Sequence, residues 1–284
     1  MTHVSVVIPC FNAGPMLVES VRSALAQSYA DLDVVIVDDG STDQATEDAL
    51  GDVARWDRVA VHRQANGGPS AALNTAIRAA SGPYILPLGA DDVIAPEYVA
   101  EAVPVLDSRP EVGLVYCRAE FFGSISGPWR LAEFSWPQVL VHNMIFVTSL
   151  YRKSDWESAG GYDEGMRGRE DHDFILRMLS LGLVPHRLEG VYFFYRRGHH
   201  TTVNDAVGAD RRILVEASAR MMRNNLPLYG EHAEDLFTYI FRQQDEINDL
   251  RYRYAWFERI RDRYPGVLKT ARKAKSGLRG LLAR

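Results

Sequence analysis

Between Val4 and Leu88, short apolar runs alternate with longer segments of helical period, and that alternation leaves the chain very few architectures. Residues 4–8, 34–37 and 59–62 have the length and composition of strands, and 84–88 those of a buried one. Between them fall three helices. One opens near Pro15 with Leu17, Val21, Ala24 and Leu25 on one side, one runs to about Ala54, and one has Ala72, Leu73, Ala76 and Ile77 on one face. Strand then helix at this spacing implies right-handed crossovers, so the expected fold is α/β, with a mostly parallel central sheet flanked by helices. Further strands are expected at 113–117, 144–151 and 191–195, and the chain reads as all-helical beyond about Ala206.

Each of the first four strands ends in groups suited to a polar ligand, and open α/β sheets bind ligands at the carboxyl ends of their strands. Pro9, Phe11 and Asn12 close the first, Asp38 and Asp39 the second, and Asn66 to Pro69 follow the third. The fourth delivers Asp91 and Asp92. Adjacent carboxylates in a poorly solvated cleft repel each other unless a cation or several donors lie nearby, so they either hold a divalent ion or merely open the next helix. Asp38 to Thr42 can equally be a capped turn with Gly40 at positive φ. Further on, Glu170 and Asp171 open a helix; an acid there is a capping residue or, beside a ligand cleft, a general base. Trp129 and Trp136 lie in an irregular span and either stack on a sugar or fill a small core. Arg196, Arg197, His199 and His200 follow the last strand, where arginine suits a diphosphate and histidine a metal.

The 284 residues are 46% hydrophobic, enough for one large domain and an appendage, and the net charge of −5 argues against a nucleic-acid partner. Cys10 and Cys117 lack metal or redox spacing and read as reduced, buried thiols. The first strand begins at Val4, so no signal peptide is expected, and no apolar run reaches the roughly 20 residues that span a bilayer. A cytoplasmic protein is expected, with peripheral attachment at the inner face of the membrane as its alternative.

Together, residues 6–12, the Asp38–Asp43 stretch, Asn66 to Gly68, Asp91 with Asp92, Gly160 to Asp163, and Glu170 with Asp171 resemble the family 2 glycosyltransferases over about residues 4–202. The resemblance implies a GT-A fold at 1–205, with a nucleotide-sugar half at 1–118 and an acceptor half at 119–205, followed by a helical extension at 206–284. It implies an inverting hexosyltransferase of surface polysaccharide or glycoconjugate synthesis. The donor, a nucleotide-diphosphate sugar, would be held by Pro9, Phe11, Asn12, Asp38, Asp39, Asn66, Gly67, Asp91 and Arg196. A Mn²⁺ or Mg²⁺ ion would lie on Asp91, Asp92 and His199. Asp171 would be the base, and Trp129, Trp136 and Glu170 would meet a saccharide or lipid-linked acceptor. Many relatives carry Asp where this chain has Gly89. Two other readings remain: a degenerate nucleotide-sugar-binding scaffold, and a sugar-phosphate nucleotidylyltransferase, although the loop after the first strand lacks the latter's glycines and arginine.

The tail from Pro265 combines Lys269, Arg272, Lys273, Lys275, Arg279 and Arg284 with Leu268, Leu278, Leu281 and Leu282. It reads either as a basic amphipathic helix that seeks anionic lipid or as a solvated terminus weakened by Gly277 and Gly280.

Overall fold

The computed structural model describes residues 1–198 and 210–263. In chain order the first elements are β1 (Val4–Cys10), α1 (Met16–Leu25), β2 (Leu32–Asp38), α2 (Gln44–Val53), β3 (Val59–Arg63), α3 (Pro69–Ala79) and β4 (Tyr84–Pro87). Next come β5 (Val93–Ile94), α4 (Tyr98–Ser108), β6 (Val112–Gly123), β7 (Gly127–Trp129), β8 (Tyr151–Arg152) and α5 (Lys153–Ser158). The remainder are α6 (Glu170–Ser180), β9 (Val184–Arg197), α7 (Arg211–Asn224), α8 (Leu226–Glu231) and α9 (Ala233–Arg263).

The central sheet has the order β3-β2-β1-β4-β8, with β1 to β4 parallel and β8 antiparallel at the edge. In β1, Val4, Val6, Val7 and Ile8 are all fully buried; unbroken burial without alternation marks a strand covered on both faces. Each such side chain contributes about 1.5–3 kcal/mol by leaving water. The helices start where local chemistry dictates. The Asp43 carboxylate caps α2 by accepting from Thr46 N at 2.8 Å, and Gly68, at φ 85°, turns the chain into Pro69 at the head of α3.

A second sheet, β5-β9-β6-β7, stands beside the first. Its long strands β6 and β9 run parallel through several register shifts. Strand β6 continues to Gly123, well past the expected 113–117, and β9 begins at Val184, ahead of 191.

The strand expected at 144–151 does not form over its length; Tyr151 and Arg152 pair with Ile85 and Tyr84 of β4, and Leu150 makes an isolated antiparallel bridge to Val115 of β6. Met144, Ile145, Phe146 and Leu150 are buried nonetheless. Apolarity in this run reports burial and not pairing: Phe146 packs against Tyr116 and Phe193, and Ser149 N turns back on Val147 O at 2.7 Å.

Met1–Glu231 forms one compact unit and a second begins at His232; its described part is helix α9. Among the described residues no helix is long and apolar enough to cross a membrane. Both cysteines are buried and free, and burial pushes each thiol up to about 12. The basic tail lies outside the described residues, as do His199 and His200.

Candidate active site

The strand order reverses between β1 and β4, so the carboxyl ends of those strands flank the crevice where ligands of open sheets bind. Asp38, opposite Cys10 in register, is buried at this edge and accepts Ser41 N at 3.0 Å. Asn12, at φ 50°, joins the loops after β1 and β2: its Oδ1 accepts Thr42 N at 2.8 Å and its own N–H reaches Ser41 Oγ at 3.0 Å. Phe11 beside it is half-exposed, as Pro9 is half-buried.

Asp39, expected to meet the donor, is hydrogen-bonded to the loop that follows β3. One carboxylate oxygen accepts Gln64 Nε2 at 2.7 Å and Gly67 N at 2.8 Å, and the other accepts Gly68 N at 2.8 Å. With three donors on a buried carboxylate, Asp39 ties the loop before α3 to the end of β2. Gly67 thereby faces Asp39 through its N–H, while Asn66 is exposed beside it.

At the end of β4 the chain turns through Gly89, whose carbonyl accepts Ser20 Oγ at 2.8 Å and Asp92 N at 3.2 Å. Asp92 is buried and its Oδ1 accepts Arg196 N at 2.9 Å. Burial first, and then the charge of Asp91, push the Asp92 carboxyl well above the usual range. A Cβ on Gly89 would stand 2.6 Å from Asp92 Oδ2 and 3.0 Å from Asp91 Oδ1, so both carboxyl groups crowd the face that Gly89 leaves open. Arg196 is already occupied: its Nε donates to Asp91 O at 2.7 Å, its guanidinium pairs with Glu19 and lies 4.3 Å from the Phe122 ring centre. It braces the acidic turn.

Two hard oxygen donors converging under mutual repulsion fit Mg²⁺ or Mn²⁺. Among the described residues no group of three or more potential ligands assembles, so Asp91 and Asp92 would share such an ion with oxygens from outside the protein.

The second acidic pair heads α6. Asp171, half-buried, accepts His172 N at 2.7 Å and Asn143 Nδ2 at 2.8 Å, and burial raises its carboxyl. Burial and the adjacent Asp171 push Glu170 up to about 7. The next residue, His172, is buried, lowered to about 4 by desolvation and neutral; it donates from Nε2 to Val139 O at 2.6 Å. Asp173, fully buried, is paired with Arg177 and accepts from Asn224 and Asn225. These anchors fix the first turn of α6. Asp171 lines a small pocket with Leu114, Phe146, Tyr151, Tyr162 and Phe174, and Tyr151 pairs with Ile85 of β4, the strand that ends in the acidic turn.

Trp129 stacks on Phe121 at 5.2 Å and packs against Tyr195 and Phe193, so it belongs to an aromatic cluster between β6, β7 and β9. Trp136 is 36% exposed and meets Phe134 edge-on. Asn143 and Asn74 are not among the residues to which the sequence assigns a role. Asn74 donates to Tyr162 O at 2.9 Å and Glu164 Oε1 at 2.8 Å, and accepts Tyr162 N at 2.8 Å. Nothing local marks either residue, since their partners lie far along the chain.

A crevice at a topological switch point, an acidic turn, an acidic pair at the head of α6 and a glycine loop at a helix start define an α/β protein with its polar groups gathered at the carboxyl ends of the strands. The glycosyl transferase family 2 model matches residues 5–174, and the chain belongs to that family. It is 25% identical to the chondroitin synthase of Pasteurella multocida over 87% of its own length but spans only 27% of that protein. Among solved structures it resembles S. aureus TarS in complex with UDP-GlcNAc, with TM-score 0.62 and 20% identity over 78% of this chain and 70% of that one. It also resembles a Pyrobaculum calidifontis mannosyltransferase in complex with GDP-Man and Mn²⁺, with TM-score 0.58 and 19% identity over 82% and 75%. The fold is thus that of GT-A glycosyltransferases.

Proposed function

We propose that this chain moves a hexosyl group from a nucleotide-diphosphate sugar to an acceptor hydroxyl, with inversion, in the synthesis of a surface polysaccharide or glycoconjugate. The observation that carries this reading is the pairing of an acidic turn at the switch point with a second acidic pair fixed at the head of α6. The structural neighbours named above were solved with UDP-GlcNAc and with GDP-Man and Mn²⁺, which supports a nucleotide-sugar donor and a divalent ion.

In this reading Asp38 accepts from the base or ribose, and Asn12, Phe11 and Asn66 border the donor. Asp39 acts by holding Gly67 and Gly68 in place, so that their loop presents a fixed surface. Asp91 and Asp92 hold the divalent ion, which when bound offsets charge on the donor diphosphate. Arg196 keeps that turn closed. Asp171 takes the proton of the attacking hydroxyl; its raised proton affinity suits a general base, and Asn143 and His172 N fix its orientation. The hydroxyl oxygen bonds to the anomeric carbon as the bond to the diphosphate oxygen breaks on the opposite face, and direct displacement inverts the centre. Glu170 and the exposed Trp136 border the acceptor.

The test is Asp171→Asn. Turnover of the cognate donor should fall on the order of a thousandfold, while donor-induced thermal stabilisation stays at the wild-type level. Unchanged turnover would remove Asp171 from the role, and loss of donor stabilisation would make it a binding residue instead.

A further inference from the structure

Helix α9 exposes an unusual number of large apolar side chains, among them Ile240, Ile247, Leu250, Tyr254 and Phe257, each between 43% and 57% exposed. Their spacing is ordered. Ile240, Ile247 and Tyr254 recur every seven residues, and so do Leu236, Gln243, Leu250 and Phe257. Together they step 4, 3, 4, 3, 4, 3 from Leu236 to Phe257, and the next position in phase is Arg261. A sustained 3.5-residue period is the seam of a coiled coil.

We infer that α9 pairs with α9 of a second copy of this chain as a parallel two-stranded coiled coil. The choice of occupant follows from residue type and charge. Ile240 and Ile247 fall in one core row and Leu236 and Leu250 in the other; β-branched residues at a with leucine at d favour two parallel strands. The flanking positions agree. In a parallel pair Glu246 faces the partner's Arg251, and Arg253 faces the partner's Glu258, so each side of the seam carries two opposite-charge pairs. Reversing one helix would replace these contacts with Glu246 against the partner's Glu246 or Arg253, according to register, whereas the parallel arrangement fixes both opposite-charge pairs. Gln243 is the one amide in the seam and favours a single register, because a slip would set it against apolar side chains. Asp245, Glu246 and Asp249 at mid-helix weigh against anionic lipid as the occupant.

Sedimentation velocity on the full chain at micromolar concentration should give twice 31.9 kDa, and Ile247→Asp should give one chain's mass while keeping donor-induced thermal stabilisation. Leu250→Cys should form an interchain disulfide on mild oxidation, since a parallel seam sets position 250 beside its equivalent and Cys10 and Cys117 are buried. Arg251→Glu should weaken the dimer about tenfold, and Glu246→Arg together with Arg251→Glu should restore it. A monomeric wild-type chain would overturn the inference. So would a dimer that Ile247→Asp leaves intact, or one in which Leu250→Cys fails to cross-link.

Discussion

Asp39→Asn separates two roles that the sequence alone assigns to one carboxylate. The amide keeps one acceptor oxygen and replaces the other with a donor. In the orientation that preserves the bonds from Gln64 Nε2 and Gly67 N, the new NH₂ faces Gly68 N, and the 2.8 Å contact becomes donor against donor. The lost bond is charge-assisted, worth about 1.5–3 kcal/mol, and the other two weaken because their acceptor is now neutral. Gly67 is exposed and Gly68 partly so, so water recovers some of the loss. A net destabilisation of about 2 kcal/mol follows, or a Tm drop of roughly 4–8 °C for a unit of this size. Urea unfolding followed by tryptophan fluorescence measures it, with donor KM read in parallel. A stability equal to wild type with a raised KM would refute the loop-tie account and return Asp39 to direct contact with the donor.

The elevated Glu170 gives the folding stability a pH signature. Its carboxyl holds a proton in the folded state up to about pH 7, where the unfolded chain has lost it near 4.5, so the unfolded state binds fewer protons over that window and stability falls as pH rises through it. Glu170→Gln should flatten the stability profile between those values in thermal melts; an unaltered slope would show that another group titrates. For Gly89→Ala, the added methyl would meet the buried Asp92 carboxyl at 2.6 Å, so the urea midpoint should drop by the equivalent of about 1–3 kcal/mol, and an unchanged midpoint would mean that the turn yields freely.

Most of the central sheet was legible because β1, β2 and β4 carry apolar runs closed by Asp, Asn or Gly, which are local properties. Strand β3, half-exposed at the edge and ending in His62 and Arg63, was legible from its Val-Ala-Val run and its place between two helical segments. The run at 144–151 carries the same apolar signal but forms only a single bridge, Leu150 to Val115 of β6, before Tyr151, since Phe146 packs into the space beside β6 instead of extending a ladder. Carboxylates that face the crevice and carboxylates that tie loops are chemically identical in sequence. Asp38 and Asp39 differ only in that the N–H groups of Gly67 and Gly68 come within reach of the second one after the chain has folded. Arg196 likewise reads as a free cation until Glu19 and the Asp91 carbonyl are placed beside it.

Asn74 lies in α3, whose first turn follows the glycine loop held by Asp39, and its amide grips both the N–H and the carbonyl of Tyr162, shortly before α6. The two ends of the crevice are therefore linked by one rigid strut. Because Asn74 sits in the second turn of a helix that starts at the glycine loop, a substitution that breaks α3 would loosen that loop and the Tyr162 segment together.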